Sequence, residues 1–307
     1  MFKRLRPSVA LLAGFVVIFA AACGGSSSIA GPAGSSGPGS RPTPSPVITA
    51  TPLTADSVLS SAITGGPDVK SFHIKIALSG TVSAAGLAKI AAGSGLHITK
   101  DLKLDGTAIE GDVDVANQAA HLTINVPAME MMGNIPISGE LIVVNKFLYY
   151  KLSLLGAKYH KTSLSSVAGK LPVSIPSSLP TPADSGLTGL ADQVNALRTQ
   201  LMAQGFSASI VGTDQIAGVP AIHIAITVPV AHLNAELAAQ ASPKPAVLQL
   251  DSASIDLWIY TANNRLAQVD MKMASAGGGN GELLITVSAY DAPVTITAPP
   301  AAQVAAS

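Results

Sequence analysis

The sequence predicts an α+β fold in which helices gather on one face of an antiparallel β-sheet. Three observations indicate this class. Apolar and polar residues alternate through many short segments, which is typical of half-buried strands. These segments follow one another through short turns, so sequential strands are expected to pair antiparallel. Amphipathic helical segments are few and stand between groups of strands, which favours α+β over regularly alternating strands and helices.

The alternation is clearest in the segment "AAHLTINV". It places Ala120, Leu122, Ile124 and Val126 on one face and His121, Thr123 and Asn125 on the other. The same pattern sets Ile109, Val113 and Val115 against Glu110, Asp112 and Asp114, and Ile222, Ile224, Ile226 and Val228 against His223 and Thr227. Turns are expected at Asn145 and Lys146, at Asn263 and Asn264, and at residues 277–281.

Three segments have the residue spacing of amphipathic helices. The longest, residues 186–205, carries apolar residues at steps of three and four and ends at Gly205, where a left-handed residue is expected. Its apolar side consists of Leu187, Leu190, Val194, Leu197 and Leu201. Shorter helices are expected at residues 54–64, with Thr54 as the N-cap, and at residues 231–241.

The N-terminus has the layout of a secretory signal. A basic head is followed by an apolar run over residues 9–22, which is shorter than the ~20 residues of a membrane span. Cys23 follows three alanines in a pattern that resembles the bacterial lipobox, where the cysteine is lipidated and becomes the new N-terminus. The pattern usually has leucine where Ala20 stands. An ordinary cleaved signal that happens to end near a cysteine is the alternative. Two or more acyl chains on Cys23 would anchor the protein stably.

The remaining chain divides by composition. Residues 1–22 are expected to be the signal peptide, and residues 23–52 the lipidated cysteine followed by a linker rich in Gly, Ser and Pro. Residues 53–298 are expected to form the folded domain. A low-complexity end, residues 299–307, is expected to be a disordered tail. The Pro-rich residues 171–182 are either a lid or a plain loop.

Composition excludes several classes of protein. Basic and acidic residues number 18 each, and charged residues make up 12% of the chain, about half the usual ~25%. There is no basic stripe of the kind that binds nucleic acid. One cysteine allows no internal disulfide, so the domain must fold by packing alone.

The sequence carries no recognised catalytic or metal-binding motif. A nucleophile elbow is missing, and the histidines stand apart without metal-ligand spacing: His73, His97, His121, His160, His223 and His232. Three carboxylates, Glu110, Asp112 and Asp114, share a strand face, but the glycine turn of a calcium loop is missing, which favours a solvated face. We therefore expect neither an enzyme nor a bound metal or cofactor.

One set of segments resembles a known family. The strand with Leu257, Trp258 and Ile259, the turn after it, the turn with Gly218, Val219 and Pro220, and the hairpin over residues 139–161 are similar to the LppX/LprAFG group of lipoproteins. The resemblance covers about residues 53–296. It implies a strongly curved antiparallel half-barrel with helices packed on its concave face, related to the Lol carriers, and a hydrophobic cavity that takes acylated lipids.

The resemblance and the residue pattern together suggest a lipid-binding function. The cavity lining is inferred from periodicity: Leu187, Leu190, Val194, Leu197, Leu201, Ile109, Val113, Leu122, Ile124 and Val126. The chain is 48% hydrophobic but only 4% aromatic, so few bulky side chains are available to fill the inside of a half-barrel. The alternative from the residues alone is that these side chains pack into a solid core. Met129, Met131 and Met132 would then be ordinary loop packing instead of a cavity mouth.

The expected protein is therefore exported and lipid-anchored on the outer side of the bacterial cytoplasmic membrane. Its expected partners are an acylated lipid or glycolipid, the membrane itself through the lipid anchor, and an export partner in the envelope. The second hypothesis is a lipoprotein without a cavity that acts as an envelope scaffold and uses exposed strand edges to bind another protein.

Overall fold

The computed structural model describes residues 53–64, 69–90, 99–129, 134–168, 199, 202–240 and 249–305. The predicted signal peptide, Cys23 and residues 24–52 of the linker lie outside these ranges. So do five inferred lining residues on the predicted long helix, Leu187, Leu190, Val194, Leu197 and Leu201, as well as Met131, Met132, His97 and residues 171–182.

Twelve strands and four α-helices have bounds within the described residues. The strands are β1 (Ser71–Val82), β2 (Leu102–Lys103), β3 (Thr107–Asp114), β4 (Ala119–Met129), β5 (Ile135–Val144), β6 (Phe147–Leu152), β7 (His160–Ser163), β8 (Ser207–Ile216), β9 (Val219–Thr227), β10 (Leu250–Tyr260), β11 (Leu266–Ser275) and β12 (Gly279–Ser288). The helices are α1 (Ala55–Thr64), α2 (Ala84–Ile90), α3 (Leu164–Ala168) and α4 (Val230–Gln240), and a short 3₁₀ helix covers Ala301–Gln303.

All the strands belong to one sheet, in the order β7-β6-β5-β4-β3-β1-β12-β11-β10-β9-β8, with β2 paired to the end of β1. Every pairing between these strands is antiparallel. Two meanders, β3 to β7 and β8 to β12, therefore flank β1. Strand β1 pairs with β3 of the first meander and with β12 of the second. The sheet is curved and not closed, which confirms the predicted α+β half-barrel.

The turns and helix caps form where the local sequence favours them. Asn145 and Lys146 adopt φ values of +52° and +64°, the left-handed pair that a tight hairpin between β5 and β6 needs. Thr54 caps α1, since its hydroxyl accepts a hydrogen bond from the Ser57 amide at 3.1 Å. Gly205 adopts φ +91° directly after a helical turn and before β8, as expected for a left-handed stop.

The main core lies between α1 and one face of the sheet. Val58 and Leu59 of α1 pack with Phe72 of β1 and with residues of β9 to β12. We call this face of the sheet the inner face. The side chains of Ile224, Leu257 and Ile259 on it are fully buried, at 0% exposure. Helix α1 packs on the concave side of the sheet, as the predicted fold class requires.

The C-terminal residues differ from the prediction of a disordered tail over 299–307. Residues 303–305 lie beside Tyr159, which directly precedes β7: the Tyr159 amide donates to the Gln303 carbonyl, and the Ala305 amide donates to the Tyr159 carbonyl, both at 2.8 Å. Val304 also joins a small apolar cluster on the outer face. The low-complexity composition was misleading because an Ala- and Pro-rich segment needs only backbone hydrogen bonds and one apolar contact to dock.

Candidate functional site

The inner face carries one continuous apolar row across nine strands. The strand register places directly opposed residues on the same face. Read from β5 to β8, the row consists of Gly139, Ile124, Ile109, Ile76, Ile285, Val269, Leu257, Ile224 and Ile210. Eight of these nine positions are Ile, Val or Leu. The sheet thus has an uninterrupted hydrocarbon surface midway along its strands.

The two halves of this row differ in burial. On the β8 to β12 half, Leu257 and Ile224 are completely buried in one cluster with residues of α1, and Ile210 on the edge strand is half-buried against that cluster. On the β3 to β5 half, Ile109 and Ile124 are only half-buried, although they are just as apolar. The first half is a packed core, whereas the second half keeps hydrocarbon partly accessible.

The structure places all five inferred strand residues on the inner face. Ile109 and Ile124 face each other across β3 and β4, and Leu122 is opposite Leu141 of β5. Val126 lies opposite Ile137 on the same pair of strands, two residues beyond Ile124. Val113 lies on β3 as well, but it is opposite Phe72 and packs against the main core. It therefore belongs to the part of the inner face that the core covers, which we call the covered half. The other four form one half-buried patch, which we call the open half.

Two glycines let the sheet bend at the open half. A Cβ on Gly111 would overlap the carbonyl oxygen of His121, and a Cβ on Gly139 would lie 2.6 Å from the carbonyl oxygen of Lys151. Neighbouring backbones therefore approach more closely here than any other residue would allow. Both glycines face the inner side in the register, so they also leave that surface without a side chain.

The sequence interpretation missed half of the inner face. Ile76, Leu257, Val269 and Ile285 continue the row, and none was singled out as lining. The signal was present: residues 72–78 alternate as strictly as β4 does, with Phe72 at the start. The burial of these residues depends on α1, which a strand pattern cannot reveal.

On β1 and β3 the outer face carries ion pairs. His73 lies 2.8 Å from Asp112 and 3.4 Å from Glu110, and Lys75 lies 3.1 Å from Glu110. The hydrogen bond from Lys75, with a smaller one from His73, keeps the pKa of Glu110 below its ordinary value despite some desolvation. These pairs are largely exposed, so each contributes little to stability. They mark the solvent side of the sheet.

A second polar group surrounds His223 on the outer face. Its two ring nitrogens lie 2.9 Å from Asp256 and 3.2 Å from Asp214, and the ring stacks on Trp258 at 4.4 Å. The Trp258 indole N–H donates to Asp214 at 2.8 Å. The tryptophan that marks the family resemblance therefore lies on the face opposite the apolar row, where it shields a hydrogen-bonded histidine.

One carboxylate near the middle of the sheet is buried. Asp270 is only 10% exposed in its side chain, and burial raises its pKa even though Lys272 lies 2.6 Å away. Its Oδ1 has no hydrogen-bond partner. The pair is also on the outer face, since Asp270 lies opposite Leu284 and Asp256 while Val269 lies on the inner row.

The other titratable residues do not assemble a reactive site. Asp114 accepts hydrogen bonds from the Asn117 amide and side chain, so the three carboxylates of β3 are each engaged by a neighbour. Within the described ranges no three His, Cys, Asp or Glu side chains are grouped so as to hold a metal ion. None of the helices in those ranges reaches the length and hydrophobicity of a membrane span.

The chain is similar to known proteins in structure but not in sequence. No model of a protein family matches the chain, and no curated protein matches it. Among solved structures it is similar to lipoprotein LppX of Mycobacterium tuberculosis, with 15% identity and a TM-score of 0.37, and to LprF from Mycobacterium bovis, with 21% and 0.36. Each alignment covers 75% of this chain and 90% of the other.

A third similar structure is the Pseudomonas aeruginosa MucA/MucB complex, with 12% identity and a TM-score of 0.29; it covers 82% of this chain and 59% of the matched one. LppX and LprF are members of the group that the sequence resembles. At these identities the similarity concerns the fold alone.

Proposed function

We propose that this protein is a lipid-anchored carrier of the bacterial envelope that holds the acyl chains of a lipid or glycolipid against the inner face of its sheet. Cys23 provides the anchor, residues 24–52 the linker, and the protein stands on the outer side of the cytoplasmic membrane. No covalent chemistry is needed, because burying methylenes supplies the driving force at about 0.8 kcal/mol each.

One observation supports this proposal above the others: the apolar row continues beyond the covered half. Ile109, Leu122, Ile124 and Val126 are hydrocarbon side chains in the middle of a large sheet, yet they remain half-buried. Ile76 and Ile210 are partly buried as well, but they pack against the main core, whereas these four residues belong to none of the apolar clusters among the described residues. An acyl chain lying along the open half would complete their burial without displacing any polar group.

The chemistry of the two faces also favours a passive carrier. The inner row has no charged member, whereas ion pairs occupy the outer face. A ligand that lies along this row therefore meets hydrocarbon, whereas Tyr150 and His160 continue the same face on β6 and β7. The head group of such a ligand must stay near polar groups or solvent. This arrangement fits an acylated lipid better than a polar metabolite.

The test is to purify the chain with Cys23→Ala without detergent and to weigh it by native mass spectrometry. We expect co-purifying lipid on this protein. Ile124→Trp should reduce the bound lipid, because the new side chain fills the open half. Thr123→Trp is the matched control, since it adds the same bulk to the adjacent, outward-facing position of β4 and should retain the lipid.

Two results would count against a carrier. If the chain that carries only Cys23→Ala has a mass without lipid, the envelope scaffold becomes the better hypothesis. Equal lipid retention in Ile124→Trp and Thr123→Trp would show that any bound lipid lies elsewhere on the molecule.

A further inference from the structure

We propose that one end of the sheet docks on the surface of a lipid bilayer through an exposed apolar rim. The rim consists of Ile135, Leu154, Leu155, Met202 and Met273. This inference goes beyond the proposed function, since a protein can dock on a bilayer whether or not its inner face holds a lipid.

The rim residues are exposed although they are large and apolar. Leu154 and Leu155 are 55% and 52% exposed in the turn after β6, and Ile135 is 51% exposed at the start of β5. Ser153 places this turn against β5, because its hydroxyl contacts the Pro136 carbonyl at 3.4 Å. Three exposed apolar side chains are therefore grouped on one side of the sheet.

Two more stand on the other meander at the same end. Met202 is 43% exposed just before β8, and Met273 is 37% exposed near the end of β11. The register fixes this end: Val82, the last residue of β1, pairs with Gly279, the first residue of β12. The rim thus includes side chains from both meanders, on either side of the central strand.

The opposite end of the sheet is different in character. Its turns consist of polar or small residues: 116–118, 145–146, 217–218 and 261–264. Among the described large apolar residues that are exposed, only Val219 belongs to a turn there; Val211 lies in the middle of edge strand β8, and Leu53 lies just before α1. Scattered exposed apolar residues need no explanation, but an imbalance between two ends of one sheet does.

Three features point to a bilayer as the occupant. The inner apolar face runs down to the rim, since Met273 continues the inward-facing series of Met271 on β11. The rim also includes side chains from both meanders, which a broad surface can contact at once. Exposed charges of both signs lie at this end of the sheet: Lys103, Lys158, Asp101, Asp105 and Asp251. Contact with lipid therefore depends on the apolar side chains.

The length of the linker supplies the third feature. Residues 24–52 separate the expected anchor at Cys23 from α1. A Gly/Ser-rich linker of that length has an average span of about 30 Å, comparable to the height of a ten-residue strand. Such a linker keeps the domain close enough to the bilayer for weak apolar contacts to act.

The experiment measures binding of the full mature chain with Cys23→Ala to vesicles of phosphatidylethanolamine and phosphatidylglycerol by flotation. We expect the chain with an unsubstituted rim to bind to the vesicles. Leu154→Asp with Leu155→Asp should lower the partition coefficient by at least about tenfold, because burial of even one leucine is worth about that factor. Val211→Asp with Val219→Asp is the matched control, because it adds the same two charges outside the rim, and it should change the partition coefficient less than twofold.

A second measurement tests the orientation on the lipid-anchored chain. A fluorophore on Leu155→Cys should be quenched by spin-labelled lipids, and the same fluorophore on Val219→Cys should not. Failure of the unsubstituted chain to float, or equal quenching at both positions, overturns the proposal. Loss of a dimer in the double aspartate variant, seen by sedimentation velocity without vesicle binding, would instead assign the rim to a second copy.

The same samples keep this proposal separate from the proposed function. Retained lipid is read by native mass spectrometry on the flotation samples. Docking without retained lipid would support the docking proposal and contradict the carrier proposal. Retained lipid without docking would support the carrier proposal and contradict the docking proposal.

Discussion

Truncating two residues of one apolar row should have unequal effects on stability. Leu257 and Ile124 lie on the same row of the inner face, but only Leu257 is fully buried under α1. Leu257→Ala removes a packed side chain and leaves a cavity, which costs about 2–5 kcal/mol of unfolding free energy. Ile124→Ala forfeits about half of the roughly 2 kcal/mol that full burial provides, or about 1 kcal/mol, and leaves no closed cavity.

The measurement is urea unfolding of delipidated protein followed by circular dichroism, with the free energy taken from the midpoint and slope. Ile142→Ala is the control for the β5 region, because Ile142 is buried on the outer face of the next strand. It should cost about 2–5 kcal/mol, as Leu257→Ala does. If Ile124→Ala costs as much as these two, the open half is packed by the protein itself, and the reasoning behind a lipid-binding face fails.

Three further predictions concern the sheet, its tail and its ion pairs. Gly111→Ala should destabilise the fold by at least about 2 kcal/mol, because its Cβ would overlap the His121 carbonyl; an unchanged urea midpoint would contradict this. Removing residues 301–307 should cost about 1–2 kcal/mol through lost apolar burial, and equal thermal stability of both chains would disprove it. The hydrogen bond from Tyr159 keeps the pKa of Glu140 below its ordinary value. Ionised Glu140 therefore contributes fully to the free energy of unfolding above about pH 4.3, the ordinary pKa of glutamate, and this contribution is lost as the pH falls through the lower folded-state pKa. Glu140→Gln should therefore flatten the loss of stability between about pH 5 and pH 3, and an identical slope would refute the assignment.

Much of the fold could be predicted from the sequence because the strands carry their own signal. Alternation in β3, β4 and β9 determines which side chains share a face, and the Asn145 turn defines a hairpin without reference to the rest of the chain. The order of strands is less accessible. No local pattern indicates that β1 pairs with β12, since that contact depends on how the two meanders meet.

The candidate site was predictable only in part. The alternating pattern identified Ile109, Leu122, Ile124 and Val126 as one face, and the structure places them together. Whether such a face is packed or left open depends on what lies against it, and α1 covers one meander much more than the other. The rim was missed because Leu154 and Leu155 belong to a turn, where no periodicity draws attention to them.

The pairing of β1 with β12 affects when this domain can mature. Partners such as Ile76 and Ile285 are separated by roughly two hundred residues, and almost the whole chain must be available before they meet. Sheets held by such distant contacts fold slowly. In the exported carrier proposed above, the pairing of β1 with β12 would therefore form only after the last strand has crossed the membrane, and a lipid would be taken up after translocation.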